Sequence, residues 1–355
     1  MAGIGGSGAR TSIEFNGGVI VPNRRDPEAA GRGQEEEAPR GVPGELGDLP
    51  WELPRTFLGL DEPSDSFQAS DAVLLPVPYE STTSFGGGTR RGPEAIVHAS
   101  RYVELYDQEF GCEPGGVYHV HTLPALELTR AGAGPAMAEL REAYGRVAEA
   151  CDDRFLLMLG GEHSISSPAI LAQADRLATS APGERLSVLQ LDAHADLRAE
   201  YEGTPHSHAS AMARVLDRAD VVAVGLRGVS REEVDVSAAA GDASTLIWAD
   251  EMWDSDAWMD RALEALGPNV YLTFDVDYFD PSFVPSTGTP EPGGGDWYRT
   301  LRFLRRVFSE RNVVAADIVE LAPMPGLPAP DFLVAKLAYK LITYRFQDRL
   351  GSGAR

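Results

Sequence analysis

From about residue 58 onward, apolar positions fall in runs of strand length that are nearly unbroken by polar residues. The runs cover 72–77, 155–159, 187–191, 221–224, 245–248, 270–274 and 313–319. A strand with one wet face alternates apolar and polar residues; a continuous run suits a strand buried on both faces. Between the runs the pattern changes to helical, over 93–106, 135–151, 167–180, 208–217, 255–266, 296–310 and 330–347. Ser167-Pro168 and Ala329-Pro330 place proline at a helix entry, Ser255 and Asp256 can cap, and Gly267-Pro268 stops the helix before it. This alternation predicts an α/β fold, a three-layer α-β-α arrangement around a mostly parallel sheet. A (β/α) barrel is the rival architecture. In both, ligands bind outside the carboxyl ends of the strands.

The two ends of the chain read differently. Residues 1–55 are rich in Gly, Pro, Arg and Glu with weak apolar periodicity. They are expected to be a disordered tail, because so little apolar surface cannot offset the entropy of ordering. Residues 56–349 are expected to form one catalytic domain, and 350–355 to fray.

Chemistry concentrates where the apolar runs end. Asp192-Ala193-His194-Ala195-Asp196 follows one run, Asp275-Val276-Asp277 another, and Gly160-Gly161-Glu162-His163-Ser164 a third. In an extended chain residues i, i+2 and i+4 share a face, so Asp192, His194 and Asp196 would converge, as would Asp275 with Asp277. Four carboxylates and two imidazoles in one small volume call for cations to balance them. Two divalent ions would cancel four negative charges, and the oxygen-rich set favours Mn(II) over Zn(II). A single Asp-x-Asp would more simply be a turn or a cap; three such fragments at strand ends argue for a metal centre.

Together with Ser207-His208, Thr287-Gly288-Thr289-Pro290 and the early segments 76–84 and 88–93, these motifs resemble the signature set of the ureohydrolases, the arginase/agmatinase family. The resemblance runs from about Pro76 to Pro323, with the motifs in order. It implies a dimanganese hydrolase that cleaves a guanidino compound to urea and an amine. It further implies that His163 and Asp196 hold one manganese, His194 and Asp277 the other, and that Asp192 and Asp275 bridge the two. His208 would carry the proton to the leaving amine, a task suited to a side chain that titrates near neutrality. His206, two residues away, is the competing assignment. Glu320 would grip the guanidinium, whose forked N–H donors match a carboxylate. Glu162 is a candidate for holding His163 in place, and Asp317 is read as structural. His98, His119 and His121 match no motif.

The substrate is read from the loop 197–207. The family's arginases use an Asn and a Ser there to hold the α-carboxylate and α-amino group. Arg198 stands in place of that Asn, and Asp196-Leu197-Arg198 with Tyr201 and Gly203 looks like the agmatinases. Agmatine, giving putrescine and urea, is therefore the expected substrate, with Glu200 or Glu202 available to its second cation. Arg198 could instead attract 4-guanidinobutanoate; arginine fits less well, and a non-catalytic binding homologue is the alternative of another class.

Composition narrows the setting. The formal net charge of −23 is unsuited to nucleic acid and suited to drawing in a small cationic guanidino substrate, though solubility alone is a sufficient reason for it. Two cysteines, Cys112 and Cys151, form no metal or disulfide pattern. No run approaches the roughly 18 apolar residues that span a membrane, and no signal-peptide pattern is present. A cytoplasmic enzyme is expected, and by analogy with the family a homo-oligomer, trimer or hexamer.

Overall fold

The computed structural model describes residues 52–60 and 66–350. Eight parallel strands make one sheet: β1 (Ala72–Val77), β2 (Val120–Thr122), β3 (Phe155–Gly160), β4 (Leu186–Leu191), β5 (Ala219–Leu226), β6 (Ser244–Trp248), β7 (Asn269–Asp275) and β8 (Asn312–Val319). Their order is β2-β1-β3-β8-β7-β4-β5-β6. The sheet ends at β2 and β6 and does not close on itself, which excludes the barrel. The expected α/β, three-layer, parallel-sheet fold is the one found. All six residues of β1, β3 and β4 are buried, as their unbroken apolar runs require.

Among the described residues, eight α-helices cover the two faces. They are α1 (Gly92–Ser100), α2 (Ala133–Cys151), α3 (Ser166–Ser180), α4 (Arg231–Ala240), α5 (Ala249–Asp254), α6 (Ala257–Ala265), α7 (Trp297–Glu310) and α8 (Ala329–Arg345). Alternate residues of β1 feed opposite cores. Leu74 packs with Ile96 of α1, Leu304 of α7 and Leu341 of α8. Val73 and Leu75 pack with Leu140 of α2 and Ile170 of α3.

Three local expectations fail. The stretch 208–217 forms two 3-10 turns, His208–Ser210 and Met212–Arg214, in place of a helix. α1 ends at Ser100 and not near residue 106. α4 is absent from the expected elements; reciprocal capping bonds between Ser230 and Glu233 open it. Of the expected tail, residues 1–51 lie outside the described residues; Glu52, within them, pairs with buried Arg101 at 2.9 Å. Of the fraying C-terminus only Leu350 is described, and it is buried.

What positions the site is the middle of the sheet. β3, β8, β7 and β4 are neighbours, with their C-terminal ends in register: Leu159 opposite Ile318, Asp275 opposite Val319, Leu191 opposite Phe274. Four carboxyl ends therefore open onto one spot, where parallel α/β sheets bind ligands.

Candidate metal centre

Each of the four strands delivers part of one cluster. β3 runs into Gly161, whose lack of a side chain is obligatory: a Cβ there would sit 1.8 Å from the carbonyl oxygen of Tyr79. Two residues on, His163 is 1% exposed. After β4 the chain leaves the pleat. Asp196 takes a left-handed backbone (φ 52°), so the convergence of Asp192, His194 and Asp196 comes from a turn and not from strand alternation. Past β7, Asp277 sits in a 3-10 turn whose N–H donates to Asp275 Oδ1 at 2.8 Å. Glu320, after β8, is also left-handed (φ 66°). Strained backbone of this kind costs on the order of 1–3 kcal/mol per residue and concentrates at functional sites.

The six expected ligands come together. His163 Nδ1 lies 3.0 Å from Asp192 Oδ2, 2.9 Å from Asp196 Oδ2 and 3.4 Å from Asp275 Oδ2. His194 Nδ1 lies 2.9 Å from Asp277 Oδ2 and 3.6 Å from Asp192 Oδ1. Asp192 thus faces one imidazole with each oxygen. Two groups able to hold an ion follow, His163 with Asp192 and Asp275, and His194 with Asp192 and Asp277.

The cluster fits a cation on its own evidence. Nδ1 of His163 is fully buried among carboxylate oxygens yet has no hydrogen-bond partner. A ring nitrogen packed at such distances from several carboxylate oxygens, without hydrogen-bond geometry, fits a metal ion. Gly228 closes the side by His194, where a Cβ would meet the imidazole at 2.7 Å.

Charge balance without an ion is poor. Burial disfavours the charged form of both imidazoles, but the carboxylates around them outweigh it, holding His163 well above its usual value and His194 at about 12. Burial, then the charges of Asp277 and Asp192, push Asp275 well up. Burial, then the charge of Glu162, push Glu320 up as well.

The surroundings correct one expectation. Glu162 does not hold His163. The other nitrogen of His163, Nε2, lies 2.9 Å from the Thr273 hydroxyl, which donates to Asp317 Oδ1 at 2.7 Å; Tyr271 donates to the other oxygen at 2.8 Å. Asp317, read from sequence as structural, is therefore the carboxylate that orients this imidazole, through Thr273. Two further residues escaped the sequence reading. Gln190 donates to Asp192 Oδ2 at 2.8 Å. Arg227 clamps the loops by donating to the carbonyls of Asp277 at 2.6 Å and Glu291 at 2.8 Å. No motif marks either one.

Glu320 is 6% exposed. Its Oε1 accepts the His163 N–H at 2.6 Å, and the residue lines a small cavity with His208, Asp196, Asp275 and Asp277. His208 also lines the adjoining outer cleft with His194, Arg198, Tyr201 and Glu233. His206 lines neither; its ring lies against Gly134 of α2. Glu200 and Glu202 are exposed and line neither cavity, while Glu233 lines the outer one. Arg198 stands 3.9 Å from Glu233 and stacks over Tyr201 at 5.2 Å. Among the described residues no helix is long and apolar enough to cross a membrane.

The arginase family model matches residues 70–343. The chain is 38% identical over 297 residues to an N(1)-aminopropylagmatine ureohydrolase of Synechocystis sp., covering 82% of this chain and 94% of that protein. It is 29% identical over 292 residues to an agmatinase of Pyrococcus horikoshii, covering 80% and 95%. Among solved structures, proclavaminate amidino hydrolase from Streptomyces clavuligerus superposes with a TM-score of 0.72 at 26% identity, covering 84% of this chain and 100% of that one.

Proposed function

The chain belongs to the arginase family, as a hydrolase acting on guanidino compounds, and we propose that its substrate is agmatine extended by an aminopropyl group. Hydrolysis would yield urea and a triamine. The observation that carries the guanidine reading is the pose of Glu320. One carboxylate oxygen is fixed by the His163 N–H at 2.6 Å, and the side chain borders the cavity with Asp196, Asp275 and Asp277. A guanidinium is cationic at any working pH and presents paired donors to such an acid.

The tail is argued from the outer cleft and from likeness. Arg198, where arginases carry Asn, is turned onto Glu233 and Tyr201. Its charge is partly met there, which leaves a carboxylated substrate such as 4-guanidinobutanoate without a free anchor. The strong likeness to an N(1)-aminopropylagmatine ureohydrolase, over nearly that protein's full length, favours the longer polyamine tail over agmatine itself.

His163 with Asp196, and His194 with Asp277, would hold two manganese ions, with Asp192 and Asp275 shared. Such a pair supplies the Lewis acidity that makes water nucleophilic near neutral pH. Around it the protein's residues act on the substrate. Glu320 orients the guanidinium with its central carbon toward the aspartates. The oxygen of a water molecule bonds to that carbon, the bond from the carbon to the substituted nitrogen breaks, and the departing amine needs a proton. His208, on the cavity wall, delivers it.

Urea release with added manganese tests the reading on agmatine, N(1)-aminopropylagmatine, 4-guanidinobutanoate and arginine. The aminopropyl compound should give the highest kcat/KM. A preference for 4-guanidinobutanoate or arginine would overturn the tail assignment. No turnover on any of the four, with manganese bound, would point to a binding protein.

A further inference from the structure

Glu162 is completely buried and accepts four hydrogen bonds. Its Oε2 receives the N–H groups of Ser81 and Thr82, both at 2.7 Å. Its Oε1 receives the hydroxyls of Thr82 at 2.8 Å and Ser164 at 2.7 Å. None of these bonds serves the metal cluster. They tie the loop after β1 to the end of β3, and that loop touches His208.

Thr82 makes the connection. Its Oγ1 accepts the backbone N–H of His208 at 3.0 Å and lies 3.3 Å from His208 Nδ1. A hydroxyl has one hydrogen and two acceptor sites. The hydrogen of Thr82 is committed to Glu162, so toward His208 its oxygen can only accept. Nδ1 of His208 must then carry a hydrogen. Ser207 Oγ, 3.2 Å from the same nitrogen, can accept as well and does not oppose this. The nitrogen left to exchange a proton is Nε2, which lies a long 3.5 Å from Ser84 Oγ.

We infer that Glu162, acting through the Thr82 hydroxyl, is a positioning residue that fixes the tautomer of His208 and presents Nε2 to the leaving amine. The inference rests on the reading of His208 as the proton carrier, and the test separates the two. Thr82→Val removes the hydroxyl and keeps the shape; Thr82→Ala removes it without bulk; Thr82→Ser restores it. General acid catalysis contributes roughly 10²–10⁴ in rate, so Thr82→Val and Thr82→Ala should each lower kcat by about tenfold or more. KM and bound manganese should stay within about twofold of wild type, the split expected when only a transition-state interaction is lost. Thr82→Ser should recover most of kcat. In a His208→Ala background, removing the hydroxyl should cost nothing further.

Wild-type kcat in Thr82→Val and Thr82→Ala would overturn the inference, as would a Thr82→Ser variant no better than either. So would a loss that persists undiminished without His208. If His208→Ala itself retains kcat, the proton-carrier reading falls first and this inference with it.

Discussion

The hydroxyl of Thr273 stands 2.9 Å from Nε2 of His163. Because that hydroxyl donates its hydrogen to Asp317, it accepts from Nε2, so Nδ1 is the nitrogen that faces the carboxylates and that an ion would take once its proton leaves. Such partners orient a ligand, and their loss typically weakens metal affinity by about 10–100-fold. Thr273→Val should therefore raise the manganese dissociation constant by about that factor while the fold survives. Titration calorimetry of the metal-free variant reads it, and unchanged affinity would remove Thr273 from the centre.

Glu320 is expected to matter for substrate and not for metal. Glu320→Gln keeps the size and an acceptor for the His163 N–H but removes the charge facing the guanidinium. A hydrogen bond to a charged group is worth about 1.5–3 kcal/mol, so kcat/KM should fall by at least about tenfold. Manganese content, measured by elemental analysis, should hold. Loss of metal with retained kcat/KM per bound ion would reverse the assignment.

Proton release should accompany metal binding. Without an ion, His163 and His194 have raised pKa values despite burial, because the carboxylates around them outweigh it. Raised histidines stabilise the metal-free fold fully below the unfolded value near 6.5. That contribution is lost as pH climbs through the folded value, about 12 for His194. At neutral pH a cation must displace those protons, so manganese affinity should strengthen as pH rises. Calorimetry in buffers of different ionisation enthalpy counts the protons; a heat independent of buffer would contradict the scheme.

Gly161→Ala tests the packing of the β3 end against the loop after β1. The added Cβ would fall 1.8 Å from the Tyr79 carbonyl oxygen, an atom fixed in the backbone. The bonds from Gly161 N–H to Val77 and from Glu320 N–H to the Gly161 carbonyl would shift with it. A loss of at least about 3 kcal/mol in denaturant unfolding is expected, with weakened metal binding. An alanine variant as stable as wild type would show that the β1 loop can yield.

Much of this was legible in the chain, for physical reasons. β1 starts and stops where its apolar run does, Ala72 to Val77, because a strand buried on both faces has no polar positions to blur its limits. β2 was invisible: three residues on an edge carry too little pattern to register. The helix expected over 208–217 broke into turns because its backbone serves the cleft, with the Met212 and Ala213 N–H groups bound to the Asp196 carbonyl. The six side chains that meet at the centre were readable because acids and imidazoles at strand ends are conspicuous. Their supporting partners were not. Glu162 adjoins His163 in sequence yet serves a loop 80 residues away, while Asp317 reaches His163 only through Thr273. Such partnerships exist only once the sheet order is known.

The metal-facing acids stand at the ends of central strands, whereas Arg198 and Tyr201, which wall the outer cleft, belong to a loop. On the proposed reading the loop meets the substrate's tail, while the strand ends carry the acids that meet its guanidine. An engineer could rewrite residues 198–206 to accept a new guanidine while leaving the acids at the strand ends intact.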